Sequence, residues 1–158
     1  MQPYPKTCQN LTGECRLNEY KDASAVAEFL SSVLEQNWSE QDITDYIKNP
    51  SRHLLSYYEE STLVAFILFD FIIDEVEIIG CGVWSKYQNR KIAYYLFEEL
   101  FSVCKQQGAK RVFLDVAESN EKAIGLYRKL GFGELRRRKH YYQLSTGETD
   151  AIIMNKEL

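Results

Sequence analysis

The chain has 158 residues, 45% hydrophobic and 27% charged, which supports one folded core and argues against a disordered polypeptide. Its net charge of −4 gives no general attraction to nucleic acid or anionic membrane, so any anion site must be local. Four cysteines without a C-x-x-C pair, beside only two histidines, argue against a zinc cluster and read as reduced thiols.

The first thirteen residues are polar, carry two prolines and read as a loose tail ahead of a single domain over 14–158. They lack the apolar stretch of a secretory signal, and no run in the chain approaches membrane-spanning length. The expectation is a cytoplasmic protein that touches neither membrane nor nucleic acid.

Residues Glu14 to Tyr20 predict a first strand. Asp22 or Ser24 then caps a helix that buries Val26, Ala27, Phe29, Leu30, Val33 and Leu34. Trp38 and Ser39 open a short second helix through Ile43, Tyr46 and Ile47, stopped before Pro50. Three strands follow at Leu54 to Tyr58, Leu63 to Ile72 and Val76 to Trp84, joined by polar turns as an antiparallel meander. The period then changes. Ile92, Ala93, Leu96, Phe97, Leu100, Val103 and Cys104 recur at helical spacing between Arg90 and Gln107, and Gly108 ends the run. Val112 to Val116 predicts a strand, Asn120 caps a helix through Tyr127 that closes at Gly131, and Glu134 to Leu144 with Ala151 to Met154 predicts a final strand pair turning at Gly147. The fold class is α/β (α+β), in the order β-α-α-β-β-β-α-β-α-β-β: a mixed central sheet of about six to seven strands with helices on both faces.

The junction from Cys81 to Tyr95 is the first candidate site. A strand ends at Trp84, a polar loop turns, and a helix begins near Arg90. Unpaired N–H groups and the positive end of the dipole suit that helix start to a pyrophosphate, and Arg90 and Lys91 add positive charge. An ordinary strand-to-helix turn with solvated basic residues would look the same from these features.

The motifs narrow the choice. Gln88-Asn89-Arg90-Lys91-Ile92-Ala93 resembles the Q/R-x-x-G-x-G/A signature of GNAT acetyltransferases, with Lys91 where glycine is usual. Downstream, Ser119-Asn120, Ala123-Ile124-Gly125-Leu126-Tyr127, Leu130-Gly131-Phe132, Arg137-Arg138-Lys139-His140-Tyr141-Tyr142 and Asp150-Ala151-Ile152-Ile153-Met154 resemble the RimI branch, the ribosomal-protein N-terminal alanine acetyltransferases. The resemblance follows the element order from Glu14 to Met154 and is sharp from Val76 onward.

The resemblance implies acetyl-CoA as cosubstrate, with its pantetheine arm along the backbone of Cys81, Gly82 and Val83. Its pyrophosphate would lie over Gln88, Asn89, Arg90, Lys91, Ile92, Ala93 and Tyr94, and Asn120 would contact the coenzyme while also capping its helix. Tyr127 is implied as the general acid that protonates the departing thiolate, although its place on the Ala123, Tyr127, Leu130 stripe also fits a core aromatic. Asp115 stands where the family carries its general base, usually glutamate; being one methylene shorter, it favours a water relay. Glu77 on the neighbouring strand is the rival base. Tyr141 and Tyr142 are candidate acceptor contacts.

An α-amine titrates near ~7.7–8.0 against ~10.4 for lysine, so a weak water-mediated base suffices for a protein N-terminus. The function implied is direct acetyl transfer to the N-terminal α-amine of a protein, an Ala-starting small-subunit ribosomal protein, without metal or covalent intermediate. Two alternatives stay open: acetylation of a small amine or lysine, and a non-catalytic acetyl-CoA-binding sensor.

Overall fold

The computed structural model describes residues 11–34 and 36–158, with the Leu34 side chain outside the description. Most of the expected tail, including Cys8, therefore lies outside the described residues. The part that is described is anchored: Leu11 packs on the main core, and the Gly13 N–H donates to the Tyr57 hydroxyl at 3.1 Å.

Seven strands form one mixed sheet in the order β1-β2-β3-β4-β5-β7-β6. In chain order the elements are β1 (Glu14–Leu17), α1 (Ala23–Leu34), α2 (Glu40–Lys48), β2 (Arg52–Glu59), β3 (Thr62–Ile72), β4 (Glu75–Val83), α3 (Ile92–Gln106), β5 (Arg111–Ala117), α4 (Glu121–Lys129), β6 (Gly133–Leu144) and β7 (Gly147–Glu157). This is the predicted order. β1 is shorter than predicted because Asn18 turns to φ 56, which breaks the extended run. Asp22 does not cap α1. It is buried in a short 3-10 turn and accepts hydrogen bonds from the Ser56 and Tyr58 hydroxyls, giving a buried carboxylate its partners. Ser39 does cap α2, in a reciprocal box with Asp42.

The two sheet faces carry separate cores. One buries α3 and α4 through residues such as Leu96, Leu100, Ile124 and Tyr127 against Ile67, Ile78 and Leu114. The other buries α1 and α2 through Val26, Leu30 and Ile43 against Leu54, Phe66 and Leu68. Among the described residues no helix is long and apolar enough to cross a membrane.

Two irregularities in the sheet shape the site. β4 and β5 run parallel, and their pairing extends only from Glu75↔Arg111 to Ile78↔Leu114. At that same point β4 bulges against β3: Leu68 pairs with Gly80 and Phe69 with Ile78, leaving Ile79 as the extra residue. A bulge sharpens local twist and bend. Beyond it β4 stays on β3 while β5 stays on β7 through Ala117, so the two parallel strands part.

Candidate active site

The opening between β4 and β5 leaves one edge of β4 unpaired. Trp84 N–H bonds to Val64 C=O, and antiparallel alternation then turns the Gly82 amide groups into the β3 ladder. Cys81 and Val83 direct theirs into the opening. Of the three residues expected to line a pantetheine arm, Cys81 and Val83 thus present backbone groups, while Gly82 is needed for a steric reason. A β-carbon on Gly82 would run into the Phe29 ring of α1, with even Cδ1 at 3.0 Å. The Val83 carbonyl accepts a hydrogen bond from Gln88 Nε2 at 3.0 Å, and Gln88 Oε1 accepts one from Lys122 Nζ at 3.3 Å. Gln88 therefore ties the end of β4 to the start of α4. Sequence reading assigned no role to Lys122, because the two segments are far apart in the chain.

At the start of α3, Lys91 is the cap residue at φ 62, ψ 17, in the left-handed region, and no side chain caps the helix. Asn89 shares that region at φ 61. The uncapped first turn over Ile92, Ala93 and Tyr94 suits phosphate oxygens. The glycine of the signature thus serves a backbone conformation as well as close approach.

Arg90, at the same helix start, is paired. Its guanidinium forks onto Glu59, at 2.8 and 3.0 Å, with the Glu59 carboxylate largely shielded. The pair anchors the loop to β2, with Lys91 beside it at the helix start. No sequence signal links Glu59 to Arg90, since they lie on separate elements.

Past the opening, Asn120 caps α4 by accepting from the Ala123 N–H at 3.2 Å, which leaves its amide NH2 for another partner. Tyr127 is 8% exposed, wedged edge-on between Phe97 and Phe132 at ring distances of 5.7 and 5.8 Å. Its hydroxyl lies 3.5 Å from the Cys81 sulfur, across the opening. Burial holds the phenol well above its ordinary value, so it is protonated at neutral pH and can donate. Tyr127 is thus a core aromatic whose hydroxyl reaches the Cys81 sulfur.

Strand alternation sends Asp115 to the opposite sheet face from Leu114 and Val116. Glu77 pairs directly with Asp70 on β3 and with Phe113 on β5, so the three carboxylates share that face. Glu77 is held above its ordinary value by burial first, then by the Asp115 and Asp70 charges, with Arg138 pulling the other way. Tyr142 joins the group: burial, then Asp115, pushes its phenol up to about 12. Tyr141 is half exposed and stands edge-on to Tyr142 at 5.1 Å, with Arg138 over its ring. Among the described residues, no cluster of His, Cys, Asp and Glu could hold a metal ion.

Residues 22–132 match the profile of the acetyltransferase (GNAT) family. The chain belongs to the GNAT acetyltransferase family. The ribosomal protein bS18-alanine N-acetyltransferase of Escherichia coli is 31% identical over 119 residues, covering 74% of this chain and 78% of that relative. A crystal structure of the ribosomal-protein-S18-alanine N-acetyltransferase from Escherichia coli aligns at TM-score 0.84 and 26% identity, over 92% of this chain and 94% of that one. NAA60 of Arabidopsis thaliana, solved with acetyl-CoA, shares the fold at TM-score 0.81 and 17% identity, over 93% and 99% of the two chains. This GNAT protein is an acetyl-CoA-dependent N-acetyltransferase of the RimI-like type. Its parted strands and uncapped α3 fit the extended arm and the phosphates of that cosubstrate.

Proposed function

We propose that the enzyme transfers acetyl to the N-terminal α-amine of a protein in the cytoplasm, with an Ala-starting small-subunit ribosomal protein as acceptor. The proposal extends to residues 14–158 as the acetyltransferase domain. The observation that carries it is the opening between β4 and β5, with carboxylates on one sheet face and a buried phenol reaching it from the other. The relative at 31% identity, an alanine N-acetyltransferase of a ribosomal protein, supports the acceptor class.

In this reading Cys81 and Val83 hold the pantetheine arm by backbone hydrogen bonds, as an added strand would. Lys91 and the first N–H groups of α3 hold the phosphates. Asp115 accepts the amine proton through a water, because its side chain is short. Glu77 is the rival acceptor, and two neighbouring carboxylates titrate as a pair. Tyr127 gives its proton to the departing thiolate. Tyr142, beside Asp115, and Tyr141 line the acceptor's path.

The test is acetylation of a short Ala-starting peptide, scored by mass spectrometry beside an N-terminally blocked lysine peptide and spermidine. Product on the free N-terminus alone, slowed at least tenfold by Tyr127→Phe, is the expected result; proton transfer by a positioned side chain contributes ~10²–10⁴-fold. Preference for spermidine or lysine would reject the acceptor class. Acetyl-CoA binding without transfer to any amine would reject catalysis.

A further inference from the structure

We propose that Cys81 is a positioning residue for Tyr127: its thiol fixes the phenol oxygen at the opening and donates its S–H to that oxygen as the phenol gives up its proton. The inference rests on the reading of Tyr127 as the general acid.

The geometry places the two groups on facing walls. Cys81 pairs with Ile67, whose side chain lies in the α3 and α4 core, so the Cys81 side chain shares that face. Tyr127 comes from α4 on the same side, 46 residues away in sequence, and its oxygen meets the Cys81 sulfur at 3.5 Å. Phe97 and Phe132 fix the ring but offer the hydroxyl no hydrogen bond. Among the described residues, Cys81 is the partner shown for that hydroxyl.

Either atom of the pair can donate, and we take the Cys81 S–H as donor in the reacting complex. A phenol has one hydrogen, and if it pointed at Cys81 it would not be available for transfer. Burial holds the Cys81 thiol above its usual range, so the S–H is present at neutral pH and can act as donor. The phenol hydrogen is then free to aim along the opening.

The amine nitrogen bonds to the acetyl carbon, the carbon–sulfur bond breaks, and its electron pair goes to the coenzyme sulfur. The phenol O–H passes its proton to that sulfur. The amine's proton goes to the carboxylate side. The phenolate oxygen keeps the Cys81 S–H bond until solvent returns a proton. A buried phenolate without that bond would be left uncompensated.

The experiment compares kcat and the KM for acetyl-CoA in Cys81→Val, Cys81→Ser, Tyr127→Phe and the Cys81→Val/Tyr127→Phe pair, with the Ala-starting peptide as acceptor. A lost neutral hydrogen bond predicts a kcat about fivefold lower in Cys81→Val, with KM within about twofold. Cys81→Ser restores most of kcat, because a hydroxyl can also donate. In the Tyr127→Phe background Cys81→Val has no further effect, since the shared oxygen is gone. Equal losses in both backgrounds, or an unchanged kcat in Cys81→Val, would overturn the proposal and leave the acid reading intact. A Tyr127→Phe enzyme with undiminished kcat would instead remove the acid reading, and this inference with it. If Cys81→Val does not fold, Cys81→Ala carries the same comparison.

Discussion

Replacing Gly82 by alanine tests how the site is held open. A β-carbon there meets the Phe29 ring, whose Cδ1 would be 3.0 Å away and whose other near atoms are closer still. The ring cannot simply rotate, because Phe66 and Trp84 stand edge-on to it at centroid distances of 5.3 and 5.0 Å. If the ring stays, overpacking costs ~1–3 kcal/mol. If it swings into the cleft it lines with Glu28, Ser32, Trp84 and Gln88, it loses burial, worth up to ~2–3 kcal/mol for a whole Phe side chain. Alanine returns ~0.5–1 kcal/mol over glycine in a strand. The net loss is ~1.5 kcal/mol, or a melting temperature lower by ~3–6 °C for a chain of this size.

Gly80→Ala is the internal comparison. Its β-carbon meets one terminal methyl of Leu30 at 2.7 Å, with the next atoms at 3.9 Å, and a methyl on a flexible side chain can give way. That change should move the midpoint by less than ~2 °C, the alanine gain roughly offsetting a mild clash. Thermal melts followed by circular dichroism read both variants. In a Phe29→Ala background, Gly82→Ala should cost nothing further. A Gly82→Ala midpoint within 1–2 °C of the parent, on the scale of ~2–4 °C per kcal/mol, would refute the steric argument.

Lys91→Gly should raise stability by up to ~1 kcal/mol, because a left-handed conformation costs a side-chain-bearing residue ~1–2 kcal/mol and glycine's greater unfolded freedom returns part of it. An unchanged or lower urea midpoint would contradict the strain. Removing the pair together, Arg90→Gln with Glu59→Gln, should change acetyl-CoA affinity less than twofold because the pair carries no net charge, whereas Lys91→Ala should weaken it several-fold through a lost phosphate contact. Calorimetric titration separates the two, and the opposite ranking would reject this division of charge. Glu77→Gln should stabilise the protein at neutral pH. Because the folded carboxyl is held above its unfolded value, the folded state binds more protons in the window from about 4.5 up to that raised value, and stability falls as pH rises through it. The advantage of the glutamine should vanish below about pH 4, where both states are protonated, and a pH series of melting temperatures would show a constant advantage if the argument is wrong.

Much of this molecule is legible in its linear pattern. The apolar stripe of α3, the Ser39 cap of α2, the period-2 strands and the glycines at helix ends each depend on residues a few positions apart, so local spacing alone fixes the elements and their order. The motifs from Gln88 to Met154 likewise marked out the strand-to-helix junctions that carry Asp115, Asn120 and Tyr127. Tertiary structure decided what happens between distant segments. Glu59 and Arg90 are 31 residues apart, Cys81 and Tyr127 are 46 apart, and Phe29 reaches Gly82 from another layer. The extra residue at Ile79 that parts β4 from β5 is a matter of register, and register is set by pairing across the sheet rather than by any one strand's composition. Charge count in the sequence likewise showed Arg90 as a cation without its Glu59 partner, because a partner on another strand is invisible to local spacing.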